Sequence, residues 1–107
     1  SYPLKHTIQT INYKEKTRKI LEAGCVAGRI LSYLHHKNYD VVGMDFVDVA
    51  IKKIIKKNNN MRAITGNILK TDFEDNSFDT IFTSGLYHNF EINDVKTAFS
   101  ETNRILK

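Results

Sequence analysis

The chain reads as an α/β domain built on a parallel sheet, because short apolar strands alternate with helix-patterned segments from Lys19 to Lys107. Two further observations support this class. The run Ile20 to Arg29 passes from an apolar strand through a glycine turn into a helix, which is how open α/β sheets build a ligand site at their carboxyl edge. The second apolar strand also ends in an acid, Asp45.

Leu4, Ile8 and Ile11 lie at helical spacing after Pro3, so residues 1–17 are expected to form a short amphipathic helix. Lys19 to Ala23 reads as the first strand, halted by Gly24. Residues 27–38 carry Ile30, Leu31 and Leu34 on one face and read as a helix closing near Asn38. Val41 to Asp45 is the second strand. Asp48 is placed to cap the next helix, with Val49, Ile51, Ile54 and Ile55 as its buried stripe and Asn58 to Asn60 as the loop that ends it. A third strand is expected near Arg62 to Gly66 and a fourth near Phe78 to Thr83, separated by the turn-rich stretch Asp72 to Ser77. The last helix begins near Asn93 or Asp94 and carries Val95, Ala98, Phe99, Ile105 and Leu106. Its acid in the first turn and its Arg104 and Lys107 at the end suit the helix dipole.

At 107 residues the chain is expected to be one domain, residues 1–107, and 41% hydrophobic residues suffice for a core. No apolar run approaches the roughly 20 residues that cross a bilayer, and no signal-peptide pattern is visible. Cys25 has no second cysteine to pair with, which suits a reducing compartment, so a cytoplasmic location is expected. Ser1 in place of a starting Met points to processing or trimming. The net charge of +4 is uneven: residues 1–60 hold 11 Lys/Arg against 5 Asp/Glu, and residues 61–107 hold 5 against 7. Lys52, Lys53, Lys56 and Lys57 lie opposite the apolar stripe of their helix, which describes a solvated face rather than a nucleic-acid surface.

The stretch Glu22-Ala23-Gly24-Cys25-Val26-Ala27-Gly28-Arg29 carries the chemistry. Gly24 permits the turn, Gly28 lets the helix start pack closely on the strand, and the helix start presents unpaired N–H groups to an anion. A dinucleotide site needs glycines at 24, 26 and 29, but Val26 and Arg29 occupy two of those positions. The phosphate-cradling G-x-x-x-x-G-K-[ST] pattern is also absent. Asp45 follows Glu22 by 23 residues, at a place where an acid can hold ribose hydroxyls.

The remaining Glu-x-Gly-x-x-x-Gly resembles motif I of class I S-adenosylmethionine-dependent methyltransferases. Gly66-Asn67-Ile68 resembles the Gly-Asp that follows that family's third strand. Asp75-Asn76-Ser77-Phe78-Asp79 is similar to the lead into its fourth strand, Ser84-Gly85-Leu86-Tyr87-His88 to the exit, and Glu101 to Lys107 to the end of the next helix. The resemblance covers residues 18–107 and is nearest to the small-molecule methyltransferase group. It implies a Rossmann-like parallel sheet of order 3-2-1-4-5-7-6, of which this chain supplies strands 1–4, with the C-terminal strands missing. The strand-4 edge would then be open to self-association or to a partner chain.

The resemblance implies S-adenosylmethionine as cofactor and a small-molecule methyl acceptor. Glu22, Gly24 and Gly28 would face the methionine moiety, with Cys25 and Ala27 supplying backbone. Asp45 would take the ribose, Phe46 would flank the adenine, Asn67 and Ile68 would meet its edge, and Thr83 or Ser84 would lie near the methyl end. Each assignment has a structural rival: Glu22 as a solvent-facing strand end, Asn67 as an Asx-turn residue, Cys25 as a small packed residue. His88 is the candidate base, with a purely structural role as its rival; no metal site is assigned. His35 and His36 read as surface residues, and Tyr2 and Tyr13 either cover the substrate pocket or pack on the sheet. Val26 stands where the family usually has its middle glycine, and branching there resists positive φ. Two functions follow: an enzyme methylating a small molecule, seen as its cofactor-binding part, or a non-catalytic methyltransferase-like partner subunit. The isolated chain is expected to bind cofactor without turnover. The absence of Asn/Asp-Pro-Pro-Tyr at 84–87 argues against the exocyclic-amine DNA methyltransferases.

Overall fold

In the computed structural model, residues 18–25, 28–83 and 91–107 are described. The expected helix over residues 1–17 lies outside them. The chain runs β1 (Lys19–Ala23), α1 (Arg29–His36), β2 (Asp40–Asp45), α2 (Asp48–Lys57), β3 (Ala63–Thr65), β4 (Thr80–Thr83) and α3 (Ile92–Ile105). The four strands form a parallel sheet in the order β3-β2-β1-β4, with Leu21 opposite both Val42 and Ile81. This is the expected α/β, Rossmann-like arrangement.

β1 and β2 are the central strands, which is why they read as nearly continuous apolar runs rather than alternating ones. Their side chains alternate between two cores. Ile20 and Val41 pack with Leu31 and Leu34 of α1 and Ile51 and Ile54 of α2 on one face. Leu21, Val42 and Met44 pack with Ala98 and Ile105 of α3 and with Phe78 on the other. Burying each Leu or Ile of this kind contributes about 1.5–3 kcal/mol. Phe73 meets Phe78 edge-to-face at 4.8 Å between centroids.

Four details depart from the sequence expectation. Asp48 is the first residue of α2 and not its cap; its carboxylate instead pairs with Lys52 at 3.0 Å. Val49, Ile55 and Phe99 are exposed, because the buried stripe of each helix is narrower than its apolar period: Ile51 and Ile54 in α2, Ala98 and Ile105 in α3. Helix α3 begins earlier than expected, with a capping box in which Glu91 and Asp94 bond each other's backbone. The β4 edge is not bare at its start. Phe78 N–H donates to Ile105 O (2.9 Å) and Lys107 N–H donates to Phe78 O (2.8 Å), so Leu106 pairs in parallel with Phe78.

The C-terminal end of α3 is bolted to the 71–76 loop. The Glu101 carboxylate accepts from Thr71 N–H (2.7 Å), Thr71 Oγ1 (2.6 Å) and both Nε and one terminal nitrogen of Arg104 (2.9 and 2.7 Å). The other terminal nitrogen of Arg104 reaches Asp75 at 2.8 Å. These charge-assisted bonds hold the Glu101 pKa down to about 2 and raise that of Arg104.

Candidate functional site

The sheet order changes direction between β1 and β4, and open α/β sheets bind ligands at the carboxyl ends of the strands beside such a point; the ends of β1, β2 and β3 run outward from it. After β1 the chain turns sharply. Gly24 adopts φ +76°, and the N–H groups of Gly24 and Cys25 both donate to Met44 O, at 2.7 and 3.1 Å. That pair of bonds pins the turn to the end of β2. Gly28 also has φ +76° and starts α1. A Cβ there would lie 3.0 Å from Cγ1 of Ile54, so its close approach is to α2 and not, as expected, to the strand. Gly43 admits the turn and helix from beneath, since a Cβ on it would meet Leu31 at 2.6 Å and Cys25 Sγ at 3.2 Å.

A cleft of about 120 Å³ opens over these strand ends, lined by Gly24, Met44, Asp45, Phe46, Gly66, Asn67, Ile68 and Leu69. Asp45 is buried (6% exposed), and its Oδ1 accepts the N–H of Val47 at 2.9 Å, which fixes the carboxylate at the mouth of the turn. Phe46 is 62% exposed and forms a flat apolar wall. Ile68 lies buried in the core across from it, while Asn67 is exposed. Asn67 does make the Asx-turn, with Oδ1 accepting Leu69 N–H at 2.9 Å, and it lines the cleft as well. A buried carboxylate, an aromatic wall and an amide on an otherwise apolar slot suit a flat heterocycle joined to a diol. This donor set fits an adenosine.

Glu22, Cys25 and Gly28 are not walls of this cleft. Glu22 is 1% exposed, so it does not end its strand in solvent. Cys25 is buried, and burial, with the nearby charges of Glu22 and Asp45, pushes its thiol up to about 12. It therefore stays a neutral thiol and acts through packing and backbone. Thr83 ends β4. Ser84, His88, Val26, Ala27, Tyr2 and Tyr13 lie outside the described residues. Sequence reasoning did not single out Met44 and Leu69, two apolar cleft walls; the signal was their adjacency to Asp45 and Ile68. Among the described residues no group of His, Cys, Asp or Glu is placed to hold a metal, and no helix is long and apolar enough to cross a membrane.

Comparison with known proteins agrees with this geometry. The profile of a methyltransferase domain matches residues 20–107. The PH0226 protein of Pyrococcus horikoshii OT3 is 30% identical, with a TM-score of 0.78 covering 100% of this chain and 55% of that one. A SAM-dependent methyltransferase from Methanosarcina mazei is 25% identical, with a TM-score of 0.82 over 100% of this chain and 53% of that one. A TehB-like SAM-dependent methyltransferase from Corynebacterium glutamicum is also 25% identical, with a TM-score of 0.81 over 96% and 55%. The chain thus spans about half the length of these solved structures. A search of curated proteins gave no match. On the strength of the domain match and the shared fold, the chain belongs to the class I S-adenosylmethionine-dependent methyltransferase family.

Proposed function

We propose that this chain binds S-adenosylmethionine in the Asp45 cleft and serves as the cofactor-binding part of a methyltransferase acting on a small-molecule acceptor. The observation that carries the reading is the buried Asp45 carboxylate beside the exposed Phe46 ring, at the carboxyl edge of the sheet. Asp45 would accept hydrogen bonds from the two ribose hydroxyls, because one of its oxygens already takes Val47 N–H and orients the group. Phe46 and Ile68 would enclose the adenine faces. Asn67 would meet the base edge with its amide nitrogen or the second lone pair of Oδ1. Glu22 and the 24–28 turn would hold the amino-acid end, as the family resemblance implies.

When bound, the cofactor supplies a methyl group on a sulfonium, from which the neutral thioether departs readily. The protein's share is then alignment and exclusion of water, and a misplacement of about 1 Å costs about a hundredfold in rate. A general base is required only for an acceptor that must lose a proton; His88 is the sequence candidate for it.

Titration calorimetry with S-adenosylmethionine, S-adenosylhomocysteine and NAD tests the reading. Binding of the first two, and none of NAD, is expected, since Val26 and Arg29 stand at two of the three positions where the dinucleotide fingerprint needs glycine. NAD binding without S-adenosylhomocysteine binding would overturn it.

A further inference from the structure

The cleft walls come from two strands that are joined only briefly. β2 and β3 pair at three positions, Gly43 with Ala63, Met44 with Ile64 and Asp45 with Thr65. The backbone link past that point is Gly66 N–H donating to Asp45 O at 2.9 Å. Beyond it the two exits diverge. Phe46 leads into α2, and Gly66 leads into the 67–70 turn that carries Asn67, Ile68 and Leu69. Three rungs on a short edge strand restrain the separation of the two walls weakly.

Met44 packs with Ile68 beneath the two walls, and at the exposed rim a side-chain hydrogen bond joins them as well. Thr65 Oγ1 donates to Asp48 Oδ1 at 2.8 Å, bridging the end of β3 to the first residue of α2. The other oxygen of Asp48 is held by Lys52 Nζ at 3.0 Å, so the acceptor is itself oriented. Lys52 first, and Thr65 second, hold the Asp48 carboxyl below its ordinary range. Asp48 is three residues from Asp45, and Thr65 lies directly opposite Asp45 in the ladder. The contact therefore closes a short loop around the very residues that line the cleft.

We propose that Thr65 and Asp48 are a positioning pair that sets the spacing between the Asp45–Phe46 wall and the Asn67–Leu69 wall. This role rests on the cofactor reading above. Neither residue lines the cleft; the pair acts through Asp45, Phe46 and Asn67. Both residues are exposed, so removing the hydroxyl opens no cavity in the core.

The test is Thr65→Val, which keeps the β-branched shape and removes the donor, beside Thr65→Ser, which restores it. S-adenosylhomocysteine affinity, measured by calorimetry, should fall about threefold to tenfold in Thr65→Val, the range of one net hydrogen bond. It should return toward wild type in Thr65→Ser, and the melting temperature of Thr65→Val should fall by no more than the several degrees one net hydrogen bond is worth. The Val47 and Gly66 amides should exchange faster in ligand-free Thr65→Val than in wild type, while core β1 amides stay unchanged. Asp48→Ala combined with Thr65→Val should weaken binding no further than Asp48→Ala does. Wild-type binding with an unaltered dissociation constant in Thr65→Val, or unaltered exchange at Val47 and Gly66, would overturn the positioning role alone. Wild-type protein that fails to bind S-adenosylhomocysteine would overturn the cofactor reading, and this role with it.

Discussion

Acid should weaken this fold through Glu101, and the structure sets the size of the effect. Four bonds from Thr71 and Arg104 favour the ionised carboxylate, holding its pKa at about 2 against an ordinary 4.5. Because the folded value is the lower one, the contribution is fully present above about pH 4.5 and is lost as pH falls toward 2. Each tenfold change in proton affinity is 1.36 kcal/mol, so the ceiling is about 3 kcal/mol. Arg104 is 35% exposed and Asp75 71%, so solvent screening brings the expected figure to about 1–2 kcal/mol. Asp79 is also held low, chiefly by the N–H of Lys19 at 2.8 Å, and would add its own acid dependence. The clean measurement is therefore a difference: urea unfolding of wild type and Glu101→Gln from pH 7 to pH 2.5. The gap between them should be about 1–2 kcal/mol at pH 7 and should narrow steadily as pH falls below about 4.5. Parallel curves across the whole range would refute the assignment of the bolt to Glu101.

The site yields further expectations. Asp45→Ala should weaken S-adenosylhomocysteine binding at least about tenfold, since a charge-assisted bond contributes roughly 1.5–3 kcal/mol; an unchanged constant with the fold intact removes Asp45 from the site. Gly28→Ala should cost about 1–2 kcal/mol in urea unfolding for its φ of +76°, and more for the 3.0 Å approach to Ile54. Trimming Ile54 to Val in that variant should not restore wild-type stability, because the backbone strain remains; full restoration would show that the contact alone decides.

The alternation of apolar strands with amphipathic helices determined the parallel α/β sheet, because strands buried on both faces read as nearly continuous apolar runs, as β1 and β2 do apart from their terminal residues and Glu22. Glu22, the two glycines and Asp45 were legible for a related reason. A sharp turn at φ +76° demands glycine, and an acid among apolar strand residues stands out against its neighbours. Local spacing does not report how far each helix overlaps the sheet. Val49 and Phe99 carry the period of a buried stripe, and only the docking of α2 and α3 left them in solvent. Asp48 was read as a cap because caps are a local matter, whereas its partner Thr65 is 17 residues away and is brought to it by the β2–β3 pairing. The Glu101–Thr71 bolt spans 30 residues and was invisible for the same reason. The family resemblance had already grouped Asp45, Phe46, Asn67 and Ile68 around one adenosine. What the tertiary structure alone decided is how they meet: Asp45 and Phe46 follow β2, Asn67 and Ile68 follow β3, and the hydrogen bonds between those neighbouring strands bring the two exits onto one cleft walled also by Met44 and Leu69.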